Sequence, residues 1–98
     1  MFNPFRSHRA DTFAKELAVH VMAGLGSVQD RSDKAFRKKA DRVLSQAKLR
    51  VDTFKREHGR PNWLQRSACA NSFLWALKDA GCPEAYAREL TEWFVLNL

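Results

Sequence analysis

Between residues 33 and 58 apolar side chains recur every three or four positions: Phe36, Ala40, Val43, Ala47, Val51 and Phe54, with Leu44 beside them. That spacing gathers them into one stripe of a helix with about 3.6 residues per turn. At about 100° per residue, Lys34, Lys38, Arg42, Lys48, Lys55 and Arg56 turn to the opposite side, with Arg37 nearby. The segment therefore predicts one long amphipathic helix with an apolar face and a cationic face. Asp30 and Ser32 are candidate N-caps, His58-Gly59 a candidate end, and Arg60-Pro61 blocks continuation.

Three further helices follow from the same pattern. Phe13, Ala14, Leu17, Ala18, Val21 and Leu25 predict a first helix from about Arg9–Asp11 to Ala23, closed by Gly24 and Gly26. Residues 1–8, with Phe2, Pro4 and Phe5, read as an irregular N-terminal arm. Asn62 and Gln65 open a third helix with a near capping box, and its middle, residues 72–77, is apolar on nearly every side, as in a bundle centre. Gly81 stops that helix, and Pro83 and Glu84 start a fourth that runs to about Asn97. The fold predicted is all-α: a single domain over residues 1–98, a small four-helix bundle with the long basic helix at about 33–58 and a C-terminal αα-hairpin at about 63–97.

Composition narrows the class. Hydrophobic residues make up 45% of the chain, enough to exclude general disorder. No apolar run reaches the roughly 18–20 residues that span a bilayer, and the first thirteen residues lack the apolar core of a secretory signal, so a cytoplasmic location is expected. The net charge of +6 is unevenly placed. Residues 1–60 hold 14 Lys and Arg against 7 Asp and Glu, whereas residues 61–98 hold 3 against 4. The basic half is a candidate electrostatic footprint, and its ordinary reading is a solvated helix face that favours solubility.

Little chemistry is written in the side chains. Cys69 and Cys82, at mid-helix and just past that helix's end, stand nearly 20 Å apart by helical rise, so two free thiols are expected. His8, His20 and His58 are scattered, and Glu16–His20 reads more simply as a helix-surface pair than as two metal ligands. Cys69 lies between two alanines, the setting of a buried structural thiol and not of a nucleophile. No metal, no cofactor and no enzymatic activity are expected. Asn3-Pro4-Phe5 matches a tripeptide read by some endocytic adaptor domains, but three residues match often by chance. A helix-turn-helix reading of residues 75–93 fails because the recognition helix would carry Glu84, Glu89 and Glu92 against a lone Arg88.

Two binding roles remain. The favoured one is a non-enzymatic protein-binding adaptor, inhibitor or regulatory protein, with another protein or a homodimer as partner. Its surface is the C-terminal helix, which presents Tyr86, Leu90, Trp93 and Phe94 on one side and carries Val95, Leu96 and Leu98 elsewhere, more large apolar residues than one core stripe requires. The alternative is nucleic-acid binding by the long helix, through Lys34, Lys38, Arg42, Lys48, Lys55 and Arg56 with Leu49 among them. Asp41 and Asp52 interrupt that face, with Arg37–Asp41 and Asp52–Arg56 at pairing distance along the helix, and no aromatic ring lies among the cations to stack bases.

Overall fold

A computed structural model describes the backbone of residues 4–26 and 31–98 and the side chains of residues 9–26 and 31–98. It contains four helices, α1 (Pro4–Leu25), α2 (Lys34–His58), α3 (Trp63–Asp79) and α4 (Glu84–Asn97), and no strand among the described residues. The all-α four-helix prediction therefore holds. The Asn3-Pro4-Phe5 motif falls outside the described side chains.

The helix ends follow local chemistry. Asp33, one residue after the expected Ser32, caps α2, its side chain accepting from the Ala35 N–H; the other candidate, Asp30, lies outside the described residues. At α3 the capping box is complete: the Asn62 side chain accepts from the Gln65 N–H at 2.9 Å, and the Gln65 side chain accepts from the Asn62 N–H at 3.0 Å. Gly81, at φ +93°, takes the left-handed turn that ends α3 and leads into α4. One boundary differs from expectation. Residues 4–8 belong to the first turns of α1, not to an irregular arm, and Pro4 suits the opening position because a first-turn N–H has no helical partner to lose.

Two antiparallel hairpins make up the fold. In the first, Phe13 of α1 stacks on Phe54 of α2 at 4.2 Å, while Gly24 at the other end of α1 faces Val43. In the second, Arg66 near the start of α3 donates to the Val95 carbonyl at 3.1 Å, and Lys78 near its end pairs with Glu84 at 2.9 Å. α1 packs most extensively on α3, so the centre is an α1–α3 pair flanked by α2 and α4, which barely touch. The expected central place of α3 is thus shared with α1. The resulting body measures 49 × 24 × 18 Å.

The α2 stripe enters the core as read: Phe36, Ala40, Val43, Ala47 and Val51 are buried, and Phe54 and Leu44 pack half-buried against them. The middle of α3 does not bury all round. Phe73 and Leu77 are fully buried, but Trp75 is 54% exposed. Gly24 has a role other than the expected helix stop, since α1 passes through it and Gly26 follows the last turn. A Cβ at Gly24 would sit 2.7 Å from Cγ2 of Val43, so the missing side chain is what lets α1 and α2 close on each other.

Two stability outcomes follow. Phe94→Ala removes a fully buried ring from the junction of α1, α3 and α4 and is expected to cost about 3–5 kcal/mol in urea unfolding. Gly24→Ala is expected to cost about 1–3 kcal/mol through overpacking, and Val43→Ala in the same chain to recover part of that loss, a coupling that a double-mutant cycle reads directly.

Candidate functional site

With the α2 stripe committed to the core, the opposite face is left to solvent. Lys34, Lys38, Arg42, Lys48, Leu49 and Arg56 are all exposed, Leu49 by 67%. The acidic residues divide this face. Asp52 accepts from Lys48 at 3.1 Å and lies 3.8 Å from Lys55, whose side chain is mostly covered. The expected Asp52–Arg56 pairing is therefore replaced by contacts one turn back and three residues on. Among the described residues no ion pair joins Arg37 to Asp41, and none engages Lys34, Lys38, Arg42 or Arg56. Lys34, Lys38 and Arg42 follow one another at four-residue steps, so about 12 Å of helix presents three uncompensated cations in a row.

The interface expected on α4 is not a surface. Tyr86, Leu90 and Phe94 are buried, and Trp93 packs half-buried against the core. The reason is that these positions form the one stripe of α4 that turns toward the rest of the bundle. Phe94 lies against Phe73 of α3 with ring centroids at 4.5 Å, and Tyr86 meets the edge of Phe36 of α2 at 5.8 Å. One face of this short helix therefore carries its large apolar side chains inward, and Leu98 beyond its end is buried as well. On α4 only Leu96, 84% exposed, is a large apolar residue left outside.

Exposed apolar bulk lies instead mostly on α3, where Trp63, Leu64 and Trp75 are 73%, 60% and 54% exposed. The residue pattern held that signal in part: Leu64 and Trp75 are eleven positions apart, which is nearly three whole helical turns and so one line along the helix. An open cleft of about 790 Å³ separates α2 from α4. Arg31 bridges it, pairing with Glu89 at 3.4 Å and lying over the Tyr86 ring at 5.2 Å.

The titratable groups are tuned against reactivity. Cys69 and Cys82 are both free and buried. Burial, with the Asp11 charge adding to it, pushes the Cys69 thiol up to about 11, and its Sγ–H donates to the Ala10 carbonyl at 3.2 Å. Burial likewise raises Cys82 and the Tyr86 hydroxyl above their ordinary values. A thiol held protonated is a poor nucleophile. Among the described residues no group of three or more His, Cys, Asp or Glu converges as a metal site would require, and no helix is long and apolar enough to cross a membrane. The chain matches no family model, no curated protein and no solved structure.

The fold resists protonation of the His20 ring. Burial first, and then the nearby Arg50 charge, hold its pKa below 6.5, and its Nε2 is buried without a hydrogen-bond partner. The unfolded chain takes up this proton near pH 6.5, before the folded chain does, so stability falls as pH drops from 6.5 through the folded pKa. Melting temperatures measured at pH 7.5 and 5.5 are expected to show a smaller decline for His20→Gln than for the parent chain.

Proposed function

We propose that this chain is a small non-enzymatic cytoplasmic module that binds nucleic acid through the outer face of α2. The observation that carries the reading is the row Lys34, Lys38 and Arg42, exposed and without ion pairs among the described residues, on a helix whose other face is locked into the core. Phosphate groups are the polyanion such a row fits best, because counterion release rewards several cations placed on one rigid element. Arg56 extends the same line toward the C-terminal end of α2, and Leu49 offers an apolar contact between the two groups of cations. Lys48 and Lys55 contribute less, since each already faces Asp52.

The absence of aromatic rings on this face argues for backbone contacts rather than base stacking, hence for a duplex over a splayed single strand. Protein binding through α4 loses its basis, because the side chains assigned to it fill the core. The free buried thiols accord with a reducing compartment, and the raised Cys69 thiol accords with a non-catalytic role.

Binding to a generic DNA duplex is expected to weaken log-linearly with salt, with a slope of about −3 to −4 if Lys34, Lys38, Arg42 and Arg56 meet phosphates. Reversal of Lys34, Lys38 and Arg42 to Glu should abolish binding while circular dichroism stays unchanged. Single changes to Ala should each lower the slope by about 1, and Lys48→Ala should lower it less. A parent chain that binds no duplex at low salt overturns the reading.

A further inference from the structure

The exposed line on α3 has an internal order. Leu64, Ala68, Asn71 and Trp75 fall within an arc of about 60° at 100° per residue, and all four are exposed. Their spacing is symmetric about the midpoint between Cys69 and Ala70. Reversing the helix about that point exchanges Leu64 with Trp75 and Ala68 with Asn71. The same reversal exchanges Arg60, just before α3, with Asp79, the last residue of α3. Both are exposed, and neither has an ion pair among the described residues.

We propose that this face pairs with a second copy of the chain, α3 packing antiparallel on α3 across a two-fold axis beside Cys69 and Ala70. In an isologous interface each contact occurs twice, so a face has to be complementary to its own reversed image. This one is so in shape and in charge. The large Trp75 meets Leu64 of the second copy at both ends. The small Ala68 near the axis admits the close approach that two helices need. Arg60 meets Asp79 of the second copy twice, a complementarity that a basic or an acidic foreign partner would satisfy at only one end.

Trp75 is already held for the contact. Lys78 Nζ lies 4.4 Å from the centre of its ring, and that ammonium is itself fixed by Glu84 at 2.9 Å. A ring oriented before binding loses little freedom on association, as interface anchors require. The shared length, about 25 Å for a 17-residue helix, makes a small interface. Reversible dimers are therefore expected to form between about 1 and 100 µM. This pairing is independent of the nucleic-acid reading, which uses α2.

Sedimentation velocity of the full chain across that range tests the proposal. The parent chain should shift from monomer to dimer, and Trp75→Glu and Leu64→Glu should each remain monomeric with unchanged helix content and melting temperature. Arg60→Asp and Asp79→Arg should each weaken the dimer about two- to fivefold, as exposed charge pairs do, and the two changes together should restore it. A parent chain still monomeric at about 500 µM overturns the proposal and leaves the face to a different protein. A dimer indifferent to Trp75→Glu overturns it too, as does a double charge reversal that rescues nothing.

Discussion

A chain of four phenylalanines ties the bundle together. Phe54 of α2 stacks on Phe13 of α1 at 4.2 Å, Phe13 reaches Phe94 of α4 at 6.2 Å, and Phe94 lies 4.5 Å from Phe73 of α3. Every helix contributes one ring, and no two of these rings are neighbours in sequence. Such pairs add roughly 0.5–1.5 kcal/mol each beyond the area they bury. Their larger effect is geometric, because α2 and α4 share few other contacts and are held in one body chiefly through α1 and α3.

The surface divides accordingly. α2 needs one stripe for Phe54 and its neighbours, and the residues opposite that stripe include its unpaired cations. α4 packs on α3 and touches α1 and α2 through single rings, and its Phe94 and Tyr86 go to those contacts. α3, between α1 and α4, keeps one narrow line free, and that line carries Leu64 and Trp75. The charge asymmetry between the two halves of the chain thus becomes a separation of a cationic helix face from a mostly uncharged one. One suits a polyanion under electrostatic control, the other a contact that depends on fit.

How much of this was legible in the residues depends on the helix. α2 could be read almost completely because its apolar positions keep strict helical spacing and its other positions are charged; Phe36 to Val51 went where the pattern put them. The capping box at Asn62 and Gln65 was legible because both partners lie within one turn. α4 misled because the surplus implied by its count of apolar residues was placed on the stripe that faces the core, whereas the large residue left outside, Leu96, lies on another side of the helix. α3 misled for a different reason: with apolar residues on most sides, its pattern does not say which side lies outward. Trp75 is left there, its ring beside the Lys78 ammonium. Gly24 carried no readable sign of its purpose, since the requirement for a missing side chain comes from Val43, nineteen residues away.

The placement of the tryptophans has an optical consequence. Trp63 and Trp75 stand mostly in water on α3, while the four rings that join the helices are phenylalanines, which emit too weakly to be seen beside indole. The intrinsic fluorescence of this protein is therefore largely a signal from the outward side of α3. Loss of the core would change its colour only modestly, through the half-buried Trp93. Any molecule that settles on α3 would move it first.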